Sequence, residues 1–588
     1  MKRKLITGER IMYVDAGTPV NCVFAASVTG EIDLGVLQYA LDKIQAKHPL
    51  LRACIEEDSQ GQPHFVWKED MDAIPVRIVQ RQSDSEWKQV YQEEWKKPFV
   101  LQRAPLARVV WMKGEGVSEL VIVCPHCICD GVSFVALMRE LLLLLDKPEE
   151  MLEPYTSFGN ILELIPDEVV QRKRNRIKGT VYSWLARVLL PAKNVIAREE
   201  SSYLLHWRLN AGDTASLLSA CKKADTSVHA ALSIAFLRAA QQVKGKGARN
   251  KVICPVDIRR YVEQVKEDHM FAFAPIVELR ADKAGDKNFW LQTQLFKKSL
   301  KEKIKQLNVH ELLLLSEYFH ASVKKMVALL RSSKGSHDFT FSNMGQLNIP
   351  NNYQQFKVNA IYSPTVAFPW RNPNTIVVSA FNKELDFAFI SDDSFLNRQD
   401  AECIRDKAME LLQQQVAFAE RGIMTETGIV REMWMQRFVQ RNMAWYFLTN
   451  VLVNWGVAYY GFDNRNAVHL FRGEHSFARF LLPMALLLPF CISWDITRKS
   501  ILFFERQDKV LLYSTPGMQN RFTLKLAAKN GGITFALVTV VASCLYLFVP
   551  SDYTFNGTLL SIVQGMLAGL LAVLFTRYCI RYVERRVC

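Results

Sequence analysis

Residues Met1 to Arg10 hold no apolar run of the kind a secretory signal carries, so the soluble part is expected to stay in the cytosol. No short Lys/Arg block with interleaved aromatics occurs, which removes the simplest nucleic-acid reading of the net charge of +14. Cys124 and Cys127 form a CxxC around His126, but no second CxxC or Cys/His pair follows at a suitable spacing, so no metal site is expected. The 12 cysteines are irregularly spaced, and Cys54, Cys221, Cys254, Cys491 and Cys544 lie inside apolar runs. That pattern fits buried free thiols in a reducing compartment better than a disulfide framework. The apolar runs near the C-terminus carry no carboxylate or lysine, which argues against a transport pathway.

What is present is a chain of 588 residues, too long for one core. With 49% hydrophobic and 22% charged residues it suits a globular protein with room for membrane segments, and the basic excess suits a membrane surface or the cytoplasmic flanks of spans. One stretch organises the rest. Val121 to Asp130 is an apolar, β-branched run that ends in His126 and is followed by Asp130 and Gly131. It predicts a strand delivering a histidine to a turn, the geometry a general base needs. Two plainer readings stay open: a histidine beside an apolar strand also serves as a packing residue, and Asp-Gly is a common turn pair. If the strand ran on, its alternation would send Cys127 and Cys129 to one face and Cys124 to the other.

Around that stretch the pattern is mixed α and β. In residues 1–165, Asn21 to Thr29 reads as a strand and Leu34 to Lys47 as a helix, and a strongly apolar helix runs from Val132 to Leu145. Residues 166–200 form a crossover, where Arg172, Lys173, Arg174, Arg176 and Lys178 precede Val181, Trp184, Leu185 and Val188. It suits either an amphipathic helix on an anionic membrane or a connector packed on its neighbours. Residues 201–425 repeat the mixed pattern, with strands expected at Tyr203 to Leu209, Lys251 to Asp257, Phe271 to Leu279, Phe339 to Phe341, Val358 to Tyr362, Thr375 to Phe381 and Glu384 to Ile390.

Four short motifs occur in one order: His126 to Gly131, Asp225 to Leu232, Pro255 to Arg259, and Ser342 to Gly345. Together they resemble the HxxxD(G) acyltransferase superfamily, which includes peptide-synthetase condensation domains, wax ester synthases and alcohol acetyltransferases. The resemblance covers about the first 420 residues. It implies the two-lobed α/β fold of chloramphenicol acetyltransferase, with mixed sheets and a tunnel between lobes. It also implies that His126 is the general base, that Asp130 forms a structural ion pair with Arg259, and that Gly131 leaves room for the thioester arm. Ser342, Asn343 and Gly345 would lie across the cleft, where the first two hydrogen-bond substrate or oxyanion. No bound cofactor is implied; the co-substrate would be acyl-CoA or a phosphopantetheine-linked acyl group on a carrier protein. Pro125 stands where many relatives carry a second histidine, and no plant-type DFGWG is found.

From Met443 the composition changes. Met443 to Phe462, Phe480 to Trp494, Gly532 to Val549 and Thr558 to Phe575 predict a bundle of about four transmembrane helices within 430–588. The loop Asp495 to Gly531 holds Arg498, Lys499, Arg506, Lys509, Arg521, Lys525 and Lys529, and the tail adds Arg577, Arg581, Arg585 and Arg586. Positive-inside logic places both termini and that loop in the cytosol, as in a bacterial inner-membrane protein. Gly565 and Gly569 form a GxxxG suited to close helix packing. The expected protein is a membrane-anchored acyltransferase acting on a hydroxyl or amine acceptor, lipidic by preference. Its rivals are a condensation enzyme for carrier-bound substrates and a catalytically silent membrane scaffold of the same fold.

Overall fold

The computed structural model describes every residue except 1, 70, 104, 191–200, 282–287, 422–426, 474, 506–515, 551–552 and 585–588. Arg506, Lys509, Arg585 and Arg586, counted above toward orientation, lie outside the described residues. The chain divides into two compact units, Met1–Met424 and Thr425–Cys588.

The strands of the first unit are, in chain order, β1 (Lys2–Lys4), β2 (Asn21–Gly30), β3 (Ala53–Glu57), β4 (Pro63–Trp67), β5 (Val76–Gln80), β6 (Arg108–Lys113) and β7 (Val117–Pro125). They continue with β8 (Ser202–Leu209), β9 (Lys251–Pro255), β10 (Ile276–Arg280), β11 (Phe339–Gln346), β12 (Phe356–Val366), β13 (Thr375–Phe381) and β14 (Glu384–Asp392). One sheet has the order β12-β2-β7-β6-β5 and another the order β10-β9-β11-β13-β14-β8. A small third sheet has the order β1-β4-β3. Strand β12 pairs antiparallel with β2, so a strand from the later half of the unit completes the sheet that carries His126.

The central strands β2 and β7 are buried on both faces, which explains why they read as apolar runs without polar alternation. Phe24, Ala26, Leu120, Ile122 and Cys124 enter a core with the helices Leu34–Lys47 and Gly131–Asp146. Val23, Ala25, Val121 and Val123 enter a second core with Leu204, Val377, Ala388 and Ile390 of the six-stranded sheet. A polar seam joins the two sheets beside that core. Asp386 of β14 accepts from the Ser363 backbone N–H of β12 at 2.7 Å, from His206 at 2.6 Å and from Arg208 at 2.8 Å.

Two local expectations change. Phe271 to Leu279 is not one strand, because the ladder with β9 begins only at Ile276. Pro275 has no N–H to donate and restricts the residue before it. Strand β7 ends at Pro125, so strand alternation does not govern Cys127 and Cys129; both enter the same core as Cys124.

The second unit contains the helices Thr427–Gly461, Phe477–Glu505, Pro516–Phe548 and Gly557–Glu584. Among the described residues three are long and apolar enough to cross a membrane, Phe477–Phe504, Gly517–Phe548 and Gly557–Glu584. The fourth expected span, Met443 to Phe462, belongs to a helix that also carries Arg437, Arg441, Asn442, Asn450 and Asn454, and it falls short on composition. The candidate Phe477–Phe504 runs past Trp494 and takes in Asp495, Arg498 and Lys499. Asp495 accepts from Lys499 at 2.6 Å and from the Tyr446 hydroxyl. The GxxxG packs inside the unit. A Cβ on Gly565 would lie 2.8 Å from the Val451 carbonyl, and one on Gly569 would lie 2.8 Å from the Phe447 ring.

Candidate active site

His126 sits in the turn after β7. Its backbone N–H donates to the Val20 carbonyl at 2.7 Å, and its ring lies 5.6 Å from that of Phe368. Its Nδ1 is 2.7 Å from the Cys129 carbonyl oxygen. A carbonyl only accepts, so Nδ1 carries the proton and Nε2 keeps its lone pair. Burial disfavours the charged imidazolium and holds the pKa below the ordinary 6.5, against the opposing pull of the Cys129 carbonyl. The ring is thus a neutral base of fixed tautomer.

Asp130 faces other partners. It caps the helix Gly131–Asp146, accepting from the Ser133 N–H at 3.0 Å and the Ser133 hydroxyl at 2.9 Å. Arg259 grips the same carboxylate in a fork, with Nη1 to Oδ2 at 2.5 Å and Nη2 to Oδ1 at 2.9 Å. The rest of the guanidinium is also used, on the carbonyls of Lys266 and His269, each at 3.1 Å, and on Asp257 at 3.2 Å. Burial opposes the Arg259 charge, yet its pairing with Asp130 and Asp257 outweighs this and raises its pKa. The pair therefore ties the turn carrying His126 to the segment after β9.

Gly131 has a neighbour that sequence reasoning did not foresee. A Cβ there would lie 2.6 Å from Cε and 2.7 Å from Sδ of Met344, so the space beside Gly131 holds this thioether. Met344 reaches it from an irregularity in β11, where the register with β13 shifts between Asn343 and Gly345. The Asn343 side-chain oxygen accepts from the Gly345 N–H at 2.8 Å, and Gly345 has a φ of +65°, which glycine adopts without strain. The Asn343 side-chain oxygen is therefore engaged by the bulge, and its amide NH2 is the donor available for the expected role toward substrate or oxyanion. The Ser342 hydroxyl is 3.8 Å from the Met344 sulfur. Gly131→Ala is expected to displace Met344 at a cost of about 1–3 kcal/mol, and Gly131→Ala/Met344→Ala to recover most of that stability. Urea unfolding of the single and double variants measures it; no recovery in the double variant would sink the assignment.

Phe368 and Trp370 were also missed. They follow β12, stack on each other with centroids 5.9 Å apart, and bring an aromatic wall to His126. A Phe-Pro-Trp triplet between two strands gives no local signal that it faces a histidine more than 200 positions earlier.

The two sheets joined by β12, with a histidine at the end of a buried strand and its Asp-Gly turn locked by an arginine, define a condensation-type, chloramphenicol acetyltransferase-like fold. Residues 13–158 match the family model of the Condensation domain, in agreement with the resemblance in the motifs. Surfactin synthase subunit 2 of Bacillus subtilis (strain 168) is 30% identical over 148 residues, which is 25% of this chain. Subunit 1 is 28% identical over 152 residues. The chain spans only 4% of the length of each of these relatives. Among solved structures, the trichothecene 15-O-acetyltransferase TRI3 from Fusarium sporotrichioides superposes with a TM-score of 0.55 at 13% identity, covering 71% of this chain and 95% of that one. The first condensation domain of the calcium-dependent antibiotic synthetase gives 0.53 at 16% identity, covering 71% and 97%. Polyketide synthase associated protein 5 from Mycobacterium tuberculosis gives 0.51 at 14%, covering 70% and 98%.

Proposed function

We propose that the chain is a membrane-anchored acyltransferase that moves an acyl group from a thioester to a hydroxyl or amine, with His126 as general base. The observation that carries this reading is the bond from His126 Nδ1 to the Cys129 carbonyl, which leaves Nε2 as the basic atom of a neutral ring. Nε2 takes the proton of the acceptor as its oxygen or nitrogen attacks the thioester carbonyl. The tetrahedral intermediate then collapses, the C–S bond breaks, and the imidazolium returns the proton to the leaving thiolate. Asp130 and Arg259 hold the turn in place and do not touch the reacting atoms. Ser342 and Asn343 are the side chains assigned to the substrate or the developing oxyanion, and the bond from Gly345 to the Asn343 oxygen shapes the bulge that presents them.

The match to the Condensation domain family favours a donor held on carrier-protein phosphopantetheine over free acyl-CoA, which brings the peptide-synthetase-like role forward as the second reading. Apolar helices in the second unit support a membrane anchor. The basic residues between and after them support a cytosolic catalytic unit, and from this tethering we infer a bacterial inner membrane and a lipidic acceptor. Purified full-length chain in detergent, offered acyl-CoA or an acyl-loaded carrier protein with amine and long-chain alcohol acceptors, tests the assignment. Transfer from the loaded carrier that depends on His126 supports the reading. Equal thioester loss with and without His126 refutes it.

A further inference from the structure

The helix Lys173–Leu189 presents its faces in the reverse of the usual order. Its buried residues are Asn175, Gly179 and Ser183, small or polar. Gly179 lies so close to Tyr318 that a Cβ would come within 2.6 Å of the ring, and Asn175 donates to the Val169 carbonyl at 3.0 Å. The opposite face carries Ile177, Val181, Trp184 and Val188, spaced four, three and four residues apart in a single stripe. They are 64%, 45%, 60% and 60% exposed. A helix docked only on its own protein would turn this stripe inward.

Charge decides what fits the stripe. The helix contains no Asp or Glu, and Lys173, Arg174, Arg176 and Arg187 are exposed beside the apolar residues. Lys178 is paired with Glu311 at 2.6 Å and is left out of that count. An apolar stripe with a tryptophan and basic flanks matches the boundary between acyl chains and anionic headgroups. An ordinary protein surface offers no reason for every flanking charge to be positive. Helices of the same chain are apolar and long enough to cross a membrane, so a bilayer is an available occupant.

We propose that Lys173–Leu189 lies in the interface of an anionic membrane, with Ile177, Val181, Trp184 and Val188 inserted and the flanking Lys and Arg on lipid phosphates. The inference rests on the membrane-anchored reading only for the nearness of the bilayer. It gives the first unit a lipid contact of its own, in addition to the acyl-transfer site.

The test uses the full chain carrying Trp184→benzoylphenylalanine, an aromatic replacement at a position that is 60% exposed. The protein is reconstituted in vesicles of phosphatidylcholine with phosphatidylglycerol, or of phosphatidylcholine alone, then irradiated and mapped by peptide mass spectrometry. Lipid adducts on the 173–189 peptide are expected with phosphatidylglycerol. They should fall about tenfold without it or after Arg174→Glu/Arg176→Glu/Arg187→Glu. Adducts to another segment of the chain, to a second copy, or to nothing in the anionic vesicles would overturn the proposal. Alkaline carbonate extraction of the same vesicles separates it from the anchoring reading. A pelleted chain without lipid adducts sinks the interface alone, and a released chain with lipid adducts sinks the anchor alone.

Discussion

His126→Ala is expected to lower acyl transfer by about 10²–10⁴-fold, the usual contribution of a positioned general base, with the fold retained. The backbone bond to Val20 does not depend on the side chain, and the imidazole itself supplies one ring bond, to the Cys129 carbonyl. The pH profile gives an independent check. Burial lowers the imidazole pKa below 6.5, so Nε2 stays free at neutral pH and activity is lost only as pH falls through that lowered value. The acid limb of kcat/KM should therefore be centred below pH 6.5 and vanish from whatever residual rate His126→Ala retains. An acid limb centred above that value would contradict the assignment. The same shift acts on stability, since the unfolded chain takes up this proton near pH 6.5 and the folded chain does so only at lower pH. The stability His126 contributes above that window declines as pH drops into it.

Arg259→Met is expected to destabilise the first unit by about 3–5 kcal/mol, because it leaves the Asp130 carboxylate in a largely closed site without its counter-charge. The side chains of Arg259 and Asp130 are only 5% and 13% exposed, so solvent cannot replace the fork. Ser133 still caps through Asp130, which keeps the loss below that of an unbonded charge. Asp130→Asn/Arg259→Met should recover part of the loss, since the charge and its partner leave together. Urea midpoints of the full chain in detergent, with hydrogen exchange across Gly131–Asp146, measure both variants. A single-variant loss under about 1 kcal/mol would show that the pair behaves like an exposed one.

The elements around His126 were legible in the sequence because β2 and β7 are continuous apolar runs and the helix after Gly131 is strongly apolar. The partner of Asp130 was named from the resemblance, and the structure places the Arg259 fork on it. What could not be read is pairing across distance. Strand propensity marks residues 358–362 but says nothing of β2 as their neighbour, and nothing in Ser342 to Gly345 announces that Met344 fills the space beside Gly131. Nor does periodicity say which face of a helix is buried. Val181, Trp184 and Val188 were read in the sequence as part of an amphipathic segment, while Ile177 and the exposure of the stripe emerge from the structure, where Gly179 and Tyr318 meet on the other side.

The central claim is that His126 Nε2 removes the proton of an acceptor that then takes an acyl group from a thioester. Mass spectrometry of lipid and small-molecule extracts from cells producing the wild-type chain or His126→Ala, at matched protein levels, tests it most directly. An acylated species present with the wild-type chain and absent with the variant is the predicted result. Identical extracts from the two would contradict it and favour a catalytically silent scaffold.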